Sequence, residues 1–334
     1  MKKSLVPILL FLIFFLLLPF FPTVARNYYL QIAIFLFMNI VMAQSYDIVG
    51  GYMGYINLGH ITFFAVGAYA FGILFNVGLA FPVAMVLSTL CSVVFAAIIS
   101  YPFFRLRGAY FALAAFGLVK LMEHITINLS GLTGGSNGLK IEAADRTLAV
   151  YYITLAVVVA VILCSWLITR SKLGLAIKTI REDEEVALDF GVPTFLAKAQ
   201  ALMISSAFPG IIGALYTWYI NYIIPDDIFA LQRALVPIAM AMLGGTGLLI
   251  GPVIGAALLY GTEEVIWTNL AHISGSSLPL PDPLPLVLES LGAMPGAMVG
   301  LVIVLVGLFM PGGLARLAPV ERLLARIGMR EEDK

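Results

Sequence analysis

The chain has 334 residues, of which 61% are hydrophobic and 11% charged, with a formal net charge of zero. Soluble domains carry about 25% charged residues. A soluble fold and a basic nucleic-acid binder are therefore excluded, and at a mean hydropathy of +1.01 the bilayer must be the solvent for most of the chain.

Lys2 and Lys3 precede an apolar run from Leu5 to Phe21, and Thr23-Val24-Ala25 faintly resembles a cleavage site. The run is longer than the roughly 7–15 residues of a signal-peptide core, so it reads as a retained first span. Nine more apolar runs follow: Tyr28–Ile48, His60–Val77, Leu79–Tyr101, Gly108–Ile127, Leu148–Thr169, Phe195–Tyr219, Ala234–Ile250, Gly251–Leu270 and Leu291–Met310. The expected fold is an all-α polytopic membrane protein of about ten transmembrane helices, since each run is near the length that crosses a bilayer. The joint between the eighth and ninth runs also fits a turn inside the membrane. Cys91 and Cys164 lie within apolar runs and read as small packing residues rather than a disulfide or metal pair.

Two Gly-rich segments interrupt the runs: GGYMGYINLGHITFFAVGAYA from Gly50 to Ala70, and MLGGTGLLIGPVIGAALLYG from Met242 to Gly261. Close helix approach or unwound backbone beside a cavity calls for such glycines. Gly54, Asn57, Gly59, His60 and Gly67 in the first, with Gly244, Gly247 and Gly251 in the second, are the candidate lining of a translocation pathway. His60 reads as a helix-start or packing residue rather than a metal ligand, and with three histidines in the chain no metal site is expected.

Orientation follows from Lys and Arg in the short loops. Lys2 and Lys3, then Arg105 and Arg107, then Arg170, Lys172, Lys178 and Arg181, then Arg316, Arg322, Arg326 and Arg330 all fall on one side if there are ten spans. That side is expected to be the cytoplasm, with both termini inside. The loop at about 170–194 is long for a connector and has apolar residues at spacings of three and four, from Leu173 to Phe190. It is expected to form one amphipathic helix or two short ones, with Gly191 as a helix cap and a stop at Pro193. It serves either as a solvated connector or as a docking element for a soluble partner.

Few ionisable residues are expected within the membrane. Asp47 ends the second span, Lys120, Glu123 and His124 lie in the fifth, and Glu263 and Glu264 in the ninth. Lys120 and Glu123 stand at i,i+3 and can neutralise one another, ahead of any proton relay. The chain has no G-x-x-x-x-G-K-[ST] sequence, so any ATP hydrolysis must reside in another polypeptide; the chain is not read as an enzyme.

Taken in order, these motifs resemble those of the branched-chain amino acid ABC importer permeases, in particular the M-type subunit. GGYMGYINLGHITFFAVGAYA is similar to the family's G-x-x-G-x-x-S-L-G-H…F-F-x-x-G-A-Y segment. RLRGAYFALAAFG (105–117), LTGGSNGL (132–139), EVALDFG, MLGGTGLLIGPVIGA and MPGGLARL (310–317) follow in the family's order. The resemblance covers about residues 30–318. It implies a permease domain over 1–318, with a cytoplasmic coupling loop at about 170–194 and a Pro-rich outer loop at about 271–290, followed by a cytoplasmic tail over 319–334.

The resemblance also implies a bacterial inner-membrane location and three kinds of partner: a homologous second permease, two cytoplasmic ATPase subunits that use ATP and Mg, and a periplasmic binding protein. The permease itself would bind no cofactor. Glu185, Ala187 and Gly191 match a coupling pattern as E-x-A-x-x-x-G, flanked by Arg181, Glu182 and Glu184. Asn57 departs from the family's Ser, and Ala207-Phe208-Pro209-Gly210 places Phe-Pro where small residues are common; Pro209 is expected to kink or loosen the seventh span. The implied function is ATP-driven import of branched-chain or other hydrophobic amino acids. Urea, amide or other amino-acid import by the same class is an alternative. So is an ion-coupled secondary transporter using Asp47, Lys120 and Glu123.

Overall fold

The computed structural model describes residues 15–16, 19, 26–274, 304 and 313–314. Nearly all of the tenth expected span, the tail, most of the first span and nearly all of the outer loop lie outside them. The described chain is almost entirely helical. Helix α1 (Arg26–Asp47) runs on through a π-helical stretch, Ile48–Tyr52, and is followed by α2 (His60–Asn76), α3 (Phe81–Phe103) and α4 (Ala109–Asn128). A short α5 (Ser130–Thr133) and β1 (Leu139–Lys140) lead to α6 (Thr147–Thr169), then α7 (Lys172–Glu182) and α8 (Glu184–Asp189). The long α9 (Thr194–Ile220), β2 (Tyr222–Ile223), α10 (Pro225–Ile228), α11 (Leu231–Gly244) and α12 (Gly251–Ser274) complete it.

Among the described residues, six stretches are long and apolar enough to cross a membrane: 27–52, 81–103, 109–128, 147–169, 194–220 and 225–244. His60–Asn76 and Gly251–Thr262 are shorter apolar helices. The second to ninth expected spans each fall on one of these elements, and the chain is a multi-pass membrane protein.

Small residues decide how the helices meet. Lipid gives no hydrophobic drive for helices to associate, so close backbone approach must supply the attraction. On α3, Ala84, Ser88, Ser92 and Ala96 recur every fourth residue and are fully buried. Beside them, Gly67 of α2 lies against the Gly210 carbonyl of α9, and Gly213 of α9 against the Phe64 carbonyl of α2. The Ser92 hydroxyl donates to the Phe63 carbonyl at 2.9 Å, and that of Thr217 to the Ala68 carbonyl at 3.2 Å. These contacts knit α2, α3 and α9 together, while α1 is enclosed by its neighbours and α3 and α4 leave most of their surface outward.

Two expectations are corrected. Cys91 is exposed, because the small-residue stripe of α3 takes the buried face and turns position 91 outward. Helix α11 ends at Gly244 rather than Ile250, since Gly245 (φ 114°) and Gly247 (φ 76°) adopt left-handed backbone that ends the helix. Helix α9 runs on through the buried Pro209, the position expected to kink or loosen the seventh span.

The bundle has two distinct ends. At one, the π-helical joint, the loop after α3, the 170–194 segment and the α11–α12 turn touch one another. At the other, β1 pairs with β2 through Leu139↔Ile223, Arg146 donates to Asn221, and the Asn76 amide donates to the Lys140 carbonyl.

Candidate functional site

The 170–194 segment folds as two short helices because Asp183 breaks the first and starts the second. Its backbone is extended (φ −158°), and its carboxylate accepts from the Glu185 and Val186 amides at 2.8 and 3.1 Å, a side-chain N-cap. Helix α8 closes on Gly191 in the left-handed region (φ 79°), with the Val192 amide donating back to the Ala187 carbonyl at 3.0 Å. This is the glycine termination that free carbonyls at a helix end call for. Ile177 and Ile180 of α7 and Ala187 of α8 face the bundle.

Arg181, at the end of α7, reaches both Gly-rich segments. Its Nη1 donates to the Gly51 carbonyl at 2.6 Å. A Cβ at Gly54 would stand 3.0 Å from the Arg181 stem, and one at Gly247 would stand 2.9 Å from its Nη1. The fully buried Asp47 joins the same cluster from below: its two carboxylate oxygens accept from the Gly247 amide at 2.9 and 3.0 Å. Asp47, expected as an intramembrane charge, Gly54 and Gly247, expected to line the pathway, and Arg181, expected in the coupling loop, come from three separate segments and meet at one place. Positive φ at Gly54 and Gly247 lets the backbone turn there without a side chain displacing the guanidinium.

A second cluster stands one turn further along. The Glu184 carboxylate accepts from Lys198 Nζ at 2.6 Å and from the Tyr55 hydroxyl at 2.6 Å. The Lys198 side chain is 2% exposed, and its ammonium lies 5.3 Å from the Tyr55 ring centroid and 5.4 Å from that of Phe104, within cation–π range. Arg107 donates to Glu185 at 2.9 Å and stands 3.9 Å from Glu184. Burial raises the Glu184 carboxyl, but the hydrogen bonds from Lys198 and Tyr55, with the charges of Lys198 and Arg107, outweigh it and hold Glu184 below its ordinary value. The first Gly-rich segment, the loop after α3, the α8 helix and the start of α9 are thus fastened at one point.

Sequence reasoning missed Lys198 and Tyr55, and used Arg107 only for orientation. Lys198 lies near the start of the seventh expected span, where its ammonium returns to the loop carboxylate of Glu184. A lone lysine a few residues past an acidic loop was the available signal.

The remaining residues separate by geometry. Gly59 packs on α4, where a Cβ would be 2.7 Å from the Ala115 carbonyl, and its amide donates to the side chain of buried Asn57 at 3.0 Å. His60 is buried at the start of α2, 3.0 Å from the Ser45 hydroxyl. Gly67 lies at the α2–α9 crossing, and Gly244 and Gly251 at the α11–α12 crossing, each against backbone. Glu182 is exposed. The Lys120–Glu123 pair is made at 2.7 Å on α4, away from both clusters.

Residues 28–307 match the family described as branched-chain amino acid transport system / permease component. The chain is 27% identical over 268 residues to the high-affinity branched-chain amino acid transport system permease protein LivM of Salmonella typhimurium, and equally to that of Escherichia coli. Each alignment covers 71% of this chain and 63% of the relative, so the chain spans less than two thirds of the curated relatives it matches. No solved structure matches the chain. With the match spanning most of the described helices and both Gly-rich segments, the chain belongs to the branched-chain amino acid transport permease family.

Proposed function

We propose that the chain is the membrane-spanning subunit of an ATP-driven importer that moves branched-chain or other hydrophobic amino acids into the cytoplasm. The observation that carries this reading is the 170–194 segment. It is tied to both Gly-rich joints through Arg181 and Glu184, yet it leaves Phe190 85% exposed with Val186 and Leu188 half exposed beside it. An apolar knob on a loop whose other face is anchored to the helix joints suits an element that is pushed by a partner and moves the joints in turn.

The partners in this reading are two cytoplasmic ATPase subunits, a homologous second permease and a periplasmic binding protein. ATP and Mg are used by the ATPases. The subunit lies in a bacterial inner membrane with about ten spans and both termini inside. Arg181, Glu182, Glu184, Glu185, Ala187 and Gly191 form the coupling element. Gly54 and Gly247 are the flexing points of the pathway, and Gly59, Gly67, Gly244 and Gly251 set the helix crossings around it.

Leucine uptake tests this reading. Cells lacking the chain should regain ATP-dependent leucine uptake when it is restored. Phe190→Asp should leave the chain inserted, release the ATPase during purification and abolish uptake. Full uptake by Phe190→Asp would reduce the loop to a connector.

A further inference from the structure

Helix α1 does not end in an ordinary cap. It passes into the π-helical stretch Ile48–Tyr52, a rare geometry found mostly as single-turn bulges, frequently at functional sites. This joint lies directly on the turn between α11 and α12. A Cβ at Gly51 would stand 1.9 Å from Asp47 Oδ1 and 2.5 Å from the Gly247 amide nitrogen. The two Gly-rich segments therefore touch across a position that has no room for a side chain.

Two charged side chains from different elements reach this contact. The buried Asp47 carboxylate accepts from the Gly247 amide at 2.9 and 3.0 Å. Arg181 is exposed on α7 and extends only its tip inward, where Nη1 donates to the Gly51 carbonyl at 2.6 Å. The same Nη1 would stand 2.9 Å from a Cβ at Gly247. Carboxylate and guanidinium thus meet the same glycine, one at its amide and the other on the side where a Cβ would project. In this arrangement each is engaged with backbone.

We infer, resting on the coupling reading above, that Arg181 is a removable pin of the gate at this end of the bundle and that Asp47 is its second station. When α7 is displaced, the guanidinium leaves the Gly51 carbonyl for the Asp47 carboxylate. The carboxylate then releases the Gly247 amide, and the two joints part. An Arg–carboxylate pair is stronger than a bond from the same guanidinium to a neutral carbonyl, and burial strengthens it further. The exchange therefore offsets the two backbone contacts that it breaks. It gives the gate two discrete arrangements, which a displaced loop needs if it is to switch the gate rather than merely bend it. Arg181 acts here as a positioning residue and need not touch the solute.

The test uses the complete transport system in proteoliposomes, with Cys91→Ala and Cys164→Ala in the full chain. Spin labels go on cysteines at the exposed Ile56 and Met242, one beside each joint. The parent should show one main interlabel distance without nucleotide and a second, longer one under ATP with vanadate. Arg181→Met keeps the stem and removes the donor. It should populate the longer distance without nucleotide at least about tenfold more than the parent, since a hydrogen bond to a charged group is worth that factor or more. Leucine preloaded into these vesicles should then leak without ATP. Asp47→Asn can still accept from the Gly247 amide but offers no charge to Arg181. It should keep the shorter distance under ATP with vanadate, show no leak and lose leucine uptake. Being isosteric, it tests the second station whatever the yield of Arg181→Met. Parental distances in Arg181→Met, or the longer distance still reached in Asp47→Asn, would overturn the pin. Equal leak from both variants would overturn it too, as the mark of a generally loosened bundle. A parent that nucleotide leaves unmoved, beside an Arg181→Met chain that opens on its own, would retain the pin and overturn the coupling reading beneath it.

Discussion

Lys198 is an ammonium almost wholly removed from solvent, and Glu184 is the carboxylate that answers it. Removing one partner of such a pair leaves the other charge stranded, which costs about 3–5 kcal/mol. Lys198→Met should therefore destabilise the detergent-solubilised protein by about 3 kcal/mol, read from denaturant or thermal unfolding. Lys198→Met with Glu184→Gln should recover more than half of that loss, because no charge is then left unpaired. Equal loss in single and double variants would mean that the lysine stem, and not its charge, holds the site together. The pair also sets an acid limit. The folded-state carboxyl of Glu184 is depressed, so its contribution is full above the ordinary carboxylate range and is lost as pH falls through the folded value. Unfolding at low pH should be less steep in Glu184→Gln than in the parent chain. These partners were not legible in the sequence. Tyr55, Arg107, Glu184 and Lys198 come from separate segments, and hydropathy and spacing report local periodicity rather than which distant loops meet.

The helices themselves were legible, because apolar run length is a local property and the bilayer fixes what length is useful. Their ends were less so: α11 stops where Gly245 turns positive in φ, a backbone event inside a run that stays apolar to Ile250. The crossings were half legible. Glycine-rich segments announced close approach, but only the structure distinguishes Gly67, pressed on the Gly210 backbone, from Gly247, which turns beneath Arg181. That distinction gives a prediction about elements. Gly67→Val should separate α2 from α9 and lower folded yield, since overpacking costs about 1–3 kcal/mol and backbone cannot step aside as a side chain can. Gly131→Ala, at a position with open space, should change stability by less than about 0.5 kcal/mol. Gly247→Ala should act differently again. The added Cβ would be strained by the left-handed backbone and press on the neighbouring guanidinium while leaving the crossing untouched, so insertion should persist while uptake falls. Wild-type yield from Gly67→Val would show that the α2–α9 contact is not the packing seam assigned to it.

For the molecule as a whole, the grouping of its charges into two ends is what makes the orientation argument physical. Arg107 and Arg181 were assigned to one side by counting Lys and Arg alone, and they stand within one connected set of contacts that includes Glu184, Glu185, Gly51 and Gly247. Arg146, Lys140 and Arg233, which belong to none of those groups, stand instead with Asn221, Tyr222 and Asp227 at the opposite end. A membrane that favours Lys and Arg on its cytoplasmic face should therefore present the first end inside. In a chain freed of Cys91 and Cys164, a cysteine at the exposed Ser136 should react with an impermeant maleimide in cells whose outer membrane has been opened. One at the exposed Lys178 should react only after the inner membrane is broken. Reaction at Lys178 in sealed cells would invert the bundle. It would place Phe190 and the anchored loop outside, where no ATPase could reach them, and the coupling role of that loop would fall with the orientation.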